Sequence, residues 1–130
     1  MRMLTALTAA ALALASPAAA AEKPPVIPLR VLYAGDPGTE HTKSFVDFLG
    51  KHFAKVESIP VLDLADADLS KADVLIVDGE VLEHSGNQPG IKKHPEGLTL
   101  EKLSVPTVLI GGMGGLISDE LQLKLGWGYG

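Results

Sequence analysis

The strongest constraint on how this chain can fold comes from the segment DVLIVD at positions 73–78. Four consecutive apolar residues, three of them β-branched, lie between two aspartates. A short apolar run without polar alternation is typical of a strand buried on both faces of a parallel sheet. Parallel neighbours need long crossover connections, which are usually helical. The segment therefore predicts an α/β domain with Asp78 at the carboxyl end of a central strand.

Three further apolar runs fit the same scheme, and we expect strands at Leu29–Ala34, Val56–Val61 and Pro106–Ile110. Because crossovers between parallel strands are right-handed, we predict the strand order 2-1-3-4 with helices on both faces. This α/β arrangement resembles the flavodoxin-like three-layer sandwich. Four strands make a small sheet for this architecture, so we expect either that the chain stops before a further strand or that a homodimer covers the last, exposed edge strand.

The segments between the strands predict helices of unequal length. Thr39 is expected to cap a first helix. We expect a short helical turn over 62–70, weak helical pieces near 80–83 and 99–103 within a long loop over 79–104, and a last helix over 116–125 after a glycine turn. The apolar residues of the first helix recur at helical spacing and are interpreted as core anchors: Phe45, Phe48, Leu49 and Phe53.

The first 21 residues have the pattern of a secretory signal peptide. A basic start containing Arg2 precedes an apolar run from Leu4 to Ala15, and small residues then permit cleavage near Ala20-Ala21. The apolar run is too short for a permanent membrane-spanning helix, which needs about 20 residues. We expect an exported protein, periplasmic or extracellular, in which a proline-rich tether over 22–28 leads into one domain over 29–130.

The composition excludes several classes of function. The chain has 130 residues, 11 of them Lys or Arg and 16 Asp or Glu, which gives a formal charge of −5. It has no basic stripe for phosphate backbones, so we do not expect nucleic-acid binding. The absence of Cys from the sequence excludes disulfides, thiolate nucleophiles and thiolate metal sites.

The predicted topology indicates where a ligand would bind. In open parallel sheets, ligands bind beyond the carboxyl ends of the strands where the strand order reverses. Here that point lies between the first and third strands, with the glycine turn next along. Glycines at a helix start also leave backbone N–H groups open to an anion. The candidate ligand contacts are Asp36, Thr39, Glu40, Asp78, Glu80, Gly112, Met113, Gly114 and Gly115.

The segment PTVLIGGMGG at 106–115 resembles the strand, sharp turn and helix of class I glutamine amidotransferase-like domains, whose turn reads Gly-x-Cys-x-Gly. Gly111 and Gly115 match the two glycines, and Met113 occupies the position of the nucleophilic cysteine. A thioether cannot form the acyl intermediate, so the resemblance implies the fold without amidotransferase chemistry.

Over about 29–125 the chain is also similar in outline to the trehalose-utilisation (ThuA-like) family, which lacks that cysteine and is often exported and associated with sugar metabolism. The shared features are a strand ending in a small polar loop, a short Asp-rich crossover before the strand at 73–78, and the glycine turn. The resemblance implies an exported domain of this fold, and we expect it to bind a small polar ligand such as a sugar. We expect no cofactor. The resemblance leaves open whether the protein is an enzyme.

Two alternatives rest on other residues. A metal-assisted hydrolase or isomerase acting on a sugar-like substrate would use His41, His84 or His94 as ligand or base, although no pair of them has helical ligand spacing. Gly38-Thr39-Glu40 resembles part of the loop in which flavodoxins hold the phosphate of flavin mononucleotide. Pro37, however, removes a backbone donor from that loop, and Asp36 and Glu40 would repel a phosphate.

Overall fold

The computed structural model describes residues 24–80, 82–85, 88–91 and 94–123. The predicted signal peptide and the last residues of the predicted final helix lie outside this set. In chain order the elements are β1 (Ile27–Gly35), α1 (Glu40–His52), β2 (Phe53–Pro60), β3 (Val74–Val77), β4 (Leu82–Ser85), β5 (Gln88–Ile91), β6 (Thr107–Leu109) and α2 (Gly111–Glu120), with 3-10 turns at Val61–Asp66, Leu69–Lys71 and Leu100–Lys102. No helix in the described ranges is long and apolar enough to cross a membrane.

The central sheet has four parallel strands in the order β2-β1-β3-β6. This is the predicted order 2-1-3-4, and the α/β fold is flavodoxin-like. β1 pairs with β3 so that Leu32 lies opposite Leu75 and Ala34 opposite Val77. The carboxyl ends of these two strands are therefore level, and the loops that follow them begin side by side.

The alternation of side chains along β1 and β3 gives the sheet two apolar faces. Val31, Tyr33 and Ile76 lie on one face, where Leu49 of α1 packs against them. The other face is covered by α2 and the 3-10 turns that follow β2, so the fold has three layers. The core on that second face comprises Leu32, Ala34, Val61, Leu64, Leu69, Ala72, Leu75, Val77, Met113 and Ile117.

The amino ends of β1 and β3 are joined by an exposed ion pair. The Arg30 guanidinium donates to both carboxylate oxygens of Asp73, at 2.8 and 3.1 Å, and the Arg30 backbone N–H donates to Asp73 Oδ2 at 2.8 Å. These hydrogen bonds lower the pKa of Asp73 to about 2. The pair marks the end of the sheet opposite to the candidate ligand site.

The first helix ends earlier than its apolar spacing predicts. Phe53 has extended backbone, with φ −115° and ψ 151°, and it pairs with Ile27 as the first residue of β2. Phe45 and Phe53 pack against the core around Leu49, whereas Phe48 is 53% exposed. The interpretation of all three phenylalanines as core anchors of one helix is therefore wrong for Phe48, and Phe53 reaches the core from the sheet.

A hairpin replaces the helical piece predicted near 80–83. β4 and β5 pair antiparallel, with Leu82 opposite Ile91 and Ser85 opposite Gln88. In the sequence these strands are separated by Gly86-Asn87, a dipeptide type that favours two-residue hairpin connections. The prediction of a helical piece is wrong here, because the short segment has no helical apolar period.

The last helix begins at Gly111 instead of Leu116 and ends at Glu120. Ile110 is still extended, and Gly111 has a φ of +66°, so the chain turns within one residue from the sheet into the helix. Gly114 then lies directly against the sheet, because a Cβ atom at this position would be 2.7 Å from the carbonyl carbon of Leu109. The glycines expected to form a loop therefore form the first turn of α2.

Candidate functional site

Asp78 follows β3 directly and is only 4% exposed. Its backbone N–H donates to the Ala34 carbonyl at 2.9 Å, which extends the β1–β3 ladder by one residue. Its carboxylate accepts from the Gly79 N–H at 2.8 Å through Oδ1 and from the Tyr33 hydroxyl at 2.8 Å through Oδ2. A buried carboxylate is costly unless it is hydrogen-bonded, and these donors inside the protein compensate for its burial.

His41 provides a third partner for this carboxylate from the solvent side. It lies in the first turn of α1, and its Nε2 is 2.6 Å from Asp78 Oδ2. The side chain of His41 is 64% exposed, whereas that of Asp78 is 6% exposed. Because an ionised carboxylate can only accept, Nε2 carries the proton, and the neutral ring has its lone pair on Nδ1. We call Asp78 and His41 the Asp–His dyad.

Tyr33 also belongs to the site, although it was not among the residues predicted from the sequence. The residue is fully buried in β1. Burial and the hydrogen bond to Asp78 raise the pKa of Tyr33, although a hydrogen bond with Thr42 opposes this shift. The phenol therefore remains a donor to the carboxylate at neutral pH. A signal was present, because a buried tyrosine hydroxyl needs a polar partner and position 33 lies inside an apolar strand.

The loop after β1 holds the first turn of α1 in place. The Thr39 hydroxyl accepts from the Thr42 N–H at 3.2 Å and donates to the Asp36 carbonyl at 3.1 Å, so Thr39 is the N-cap of α1, as predicted. Asp36 Oδ2 accepts from the Glu80 N–H at 2.9 Å and joins this loop to the one after β3. Thr39 and Asp36 therefore fix the position of His41 relative to Asp78, and Glu40 and Glu80 are exposed beside them.

The glycines at the start of α2 pack against the loop after β3, on the opposite face of the sheet from α1. The Met113 N–H donates to the Gly79 carbonyl at 3.0 Å, and the Gly114 N–H donates to the Ile110 carbonyl at 3.1 Å. These two backbone donors, which were predicted to be open to a ligand, are thus engaged within the protein. The Met113 side chain is fully buried in the core, while Gly112 is exposed and Gly115 partly buried. Met113 therefore holds the loop after β3 through its backbone hydrogen bond, while its side chain packs in the core.

His94 lies away from the Asp–His dyad. His94 Nε2 lies 3.8 Å from Glu120 Oε1, at the far end of α2 from Gly111. His84 belongs to β4 in the hairpin. Within the described ranges, no group of three or more His, Asp or Glu residues is arranged to hold a metal ion.

The edge of the sheet around the Asp–His dyad is acidic. The segments 36–42 and 78–80 contain four carboxylates and no Lys or Arg, and the first basic residue after His41 is the exposed Lys43. Negative charge at this density disfavours anionic ligands. The site therefore consists of one imidazole ring, held in a fixed orientation, and neighbouring carboxylates that accept hydrogen bonds.

Comparison of the chain with models of known protein families, with curated proteins and with solved structures found no significant match.

Proposed function

We propose that the edge of the sheet around the Asp–His dyad binds a small, polar, uncharged ligand, with the exposed imidazole of His41 as the central contact. One observation carries this proposal, namely the 2.6 Å hydrogen bond from this exposed ring to the buried Asp78. A buried charge is often no better for stability than an apolar residue of the same size. A polar side chain held in one direction by a buried partner is, in contrast, what a binding site requires.

The charge of the edge supports the choice of ligand class. Hydroxyl groups can donate to the carboxylates of Asp36, Glu40 and Glu80 and to the Nδ1 atom of His41. Phosphates and carboxylates would be repelled by the same groups. A neutral sugar or similar polyol fits this pattern, and it agrees with what the ThuA-like resemblance implies. The flavin alternative is weaker, because the Thr39 hydroxyl that would meet a phosphate is engaged in the helix cap.

The test is a titration of the protein with neutral sugars and polyols, with sugar phosphates as the charge control. Binding to the folded state raises the melting temperature, and calorimetry gives the affinity. We expect a neutral compound to bind, and His41→Gln to weaken its affinity about tenfold, the effect of losing one hydrogen bond to a polar partner. The matched control is His52→Gln, since His52 ends the same helix with its ring 4.6 Å from Phe48.

Two results would contradict the proposal. The first is a melting temperature that no neutral sugar or polyol changes. The second is an equal affinity in the wild type and His41→Gln, which would move any binding to another part of the surface.

Export is part of the same proposal and is supported by the signal-peptide pattern of residues 1–21, which lie outside the described residues. We expect the protein recovered from the periplasm or medium of its host to begin near Glu22. Mass spectrometry of the purified protein measures this directly. A protein that keeps Met1 and stays in the cytoplasm would contradict export.

The homodimer predicted through the edge strand remains a prediction. Among the described strands β6 is the outermost on its side of the sheet, and Val108 within it is 48% exposed. Light scattering measures the mass in solution, and Val108→Lys should dissociate a dimer that uses this edge. A wild-type protein that is monomeric at high concentration would contradict the prediction.

A further inference from the structure

We propose that His41 is the general base of a hydrolytic site that cleaves a neutral carboxylic ester of a polar alcohol, with Asp78 and Tyr33 as positioning residues. This inference rests on the proposed function, because the alcohol part of such an ester is the small polar ligand described above. It adds a reaction to what would otherwise be a binding site.

The geometry of the Asp–His dyad is that of a general base held by an orienting carboxylate. It is not that of a pair that serves only to stabilise the fold. Asp78 already has Tyr33 and Gly79 as donors. The imidazole is therefore not required to satisfy the carboxylate. The hydrogen bond from Nε2–H to Asp78 fixes the orientation of the ring, and the basic Nδ1 atom is directed away from the carboxylate. In the described part of the chain no protein group hydrogen-bonds to Nδ1.

The carboxylate also stabilises the ring when it takes a proton. An imidazolium donates more strongly to Asp78 than the neutral ring does, because its Nε2–H then carries part of a positive charge. Tyr33 holds the other side of Oδ2 at 2.8 Å, so the carboxylate cannot rotate away from His41. Nucleophile, base and orienting group act in this way in many hydrolases, and here water takes the place of the nucleophile.

The same groups indicate an ester as the reactive bond. Acyl transfer needs one proton shuttle, since the base that deprotonates the attacking water returns that proton to the leaving alcohol. Glycoside hydrolysis generally needs two carboxyl groups on opposite sides of the bond, whereas Asp78 is buried behind His41. The acidic edge disfavours phosphate esters. A neutral acyl ester meets all three conditions.

The step balances without a further reactant. Nδ1 of His41 takes a proton from water as the water oxygen bonds to the acyl carbon, and the carbonyl electron pair moves to oxygen. The tetrahedral adduct then collapses, the bond to the alcohol oxygen breaks, and the imidazolium gives its proton to that oxygen. The products are a carboxylic acid and an alcohol, and the Asp–His dyad returns to its starting state.

The experiment measures turnover of p-nitrophenyl acetate, a neutral ester, and of p-nitrophenyl phosphate, its anionic counterpart. We expect many turnovers of the acetate and none of the phosphate, with a rate that rises with pH because a general base acts only in its unprotonated form. General-base catalysis contributes about 10²- to 10⁴-fold, so His41→Gln should lose about 100-fold or more in kcat/KM and also lose the pH dependence. His52→Gln should retain both.

Asp78→Asn and Tyr33→Phe test the positioning role. Asp78→Asn should lower kcat and shift the pH profile to lower pH, because the asparagine cannot stabilise the imidazolium and the ring then loses its proton more readily. Tyr33→Phe should lower kcat by a smaller factor, because the carboxylate remains and is only held less firmly. If Asp78→Asn does not fold, as judged by circular dichroism, His41→Gln and Tyr33→Phe decide the question, since the former changes only an exposed side chain.

The results separate this inference from the proposed function. Sugar or polyol binding that depends on His41, without ester turnover, would overturn the inference and leave the proposed function intact. Turnover that persists in His41→Gln, or a wild-type rate no higher than that of free imidazole at the same concentration, would also overturn it. Ester turnover that requires His41 without polyol binding would instead overturn the proposed ligand class.

Discussion

Replacement of Gly114 by alanine tests how tightly the first turn of α2 is packed against the sheet. A Cβ atom at this position would lie 2.7 Å from the carbonyl carbon of Leu109 and 3.1 Å from its Cα and Cβ atoms. An ordinary carbon–carbon contact is about 3.5 Å or longer, so α2 and β6 would have to separate by roughly 0.8 Å. The nearest atoms are backbone and cannot rotate away.

The expected cost follows from two opposing effects. Overpacking of this kind costs typically about 1–3 kcal/mol, and we take the upper end because backbone must move. Alanine gains back about 1 kcal/mol relative to glycine inside a helix. The free energy of unfolding should therefore fall by about 2 kcal/mol in Gly114→Ala.

Gly50 provides the matched control. It lies on α1, is exposed, and a Cβ atom there would meet nothing within 4 Å. Gly50→Ala therefore gains the helix propensity without the clash and should be about 1 kcal/mol more stable than the wild type. Urea denaturation followed by far-ultraviolet circular dichroism measures all three proteins. A Gly114→Ala variant as stable as the wild type would refute the close approach of α2 to β6.

Three further predictions concern the core, the buried phenol and the acid limit. Leu49→Ala should lower the free energy of unfolding by about 2–4 kcal/mol, whereas the neighbouring Phe48→Ala should lower it by less than about 1 kcal/mol, and similar losses in chemical denaturation would contradict this assignment of the core. Tyr33→Phe should cost about 1.5–3 kcal/mol because it removes a donor from a buried carboxylate, and an unchanged urea midpoint would argue against that hydrogen bond. Asp73 has a folded pKa of about 2, below its ordinary value of 3.8, so the stabilisation by Arg30 is present above about pH 4 and is lost as the pH falls towards 2. The stability difference between the wild type and Asp73→Asn should shrink over that interval, and a difference independent of pH would contradict the pairing.

The sheet was predictable from the sequence because each strand carries its own local signal. The apolar run at 73–78 sets β3, and the right-handed crossovers leave few orders for the remaining strands. Thr39 was predictable as a cap for the same reason, since its hydroxyl acts on a backbone group three residues away. Features that depend only on residues close together in the sequence can be predicted from the sequence.

The Asp–His dyad could be predicted only in part. The topology brings the segments containing His41 and Asp78 to one edge, but the register between β1 and β3 and the cap of α1 decide that two particular atoms meet. Tyr33 was missed because its role depends on a partner 45 residues away. The start of α2 was misplaced because the glycines were interpreted as a loop, whereas at Gly114 the absence of a side chain lets a helix lie flush against β6.

His41 lies in α1, and Asp78 follows β3, 37 residues further along the chain. The hydrogen bond between them can form only after β3 has paired with β1 and α1 has been closed by its cap, so it exists only in the assembled domain. The Nε2 proton of His41 is therefore a natural reporter of folding. Its proton nuclear magnetic resonance signal should be shifted downfield in the native protein. The signal should disappear at the lowest denaturant concentration at which the two strands separate.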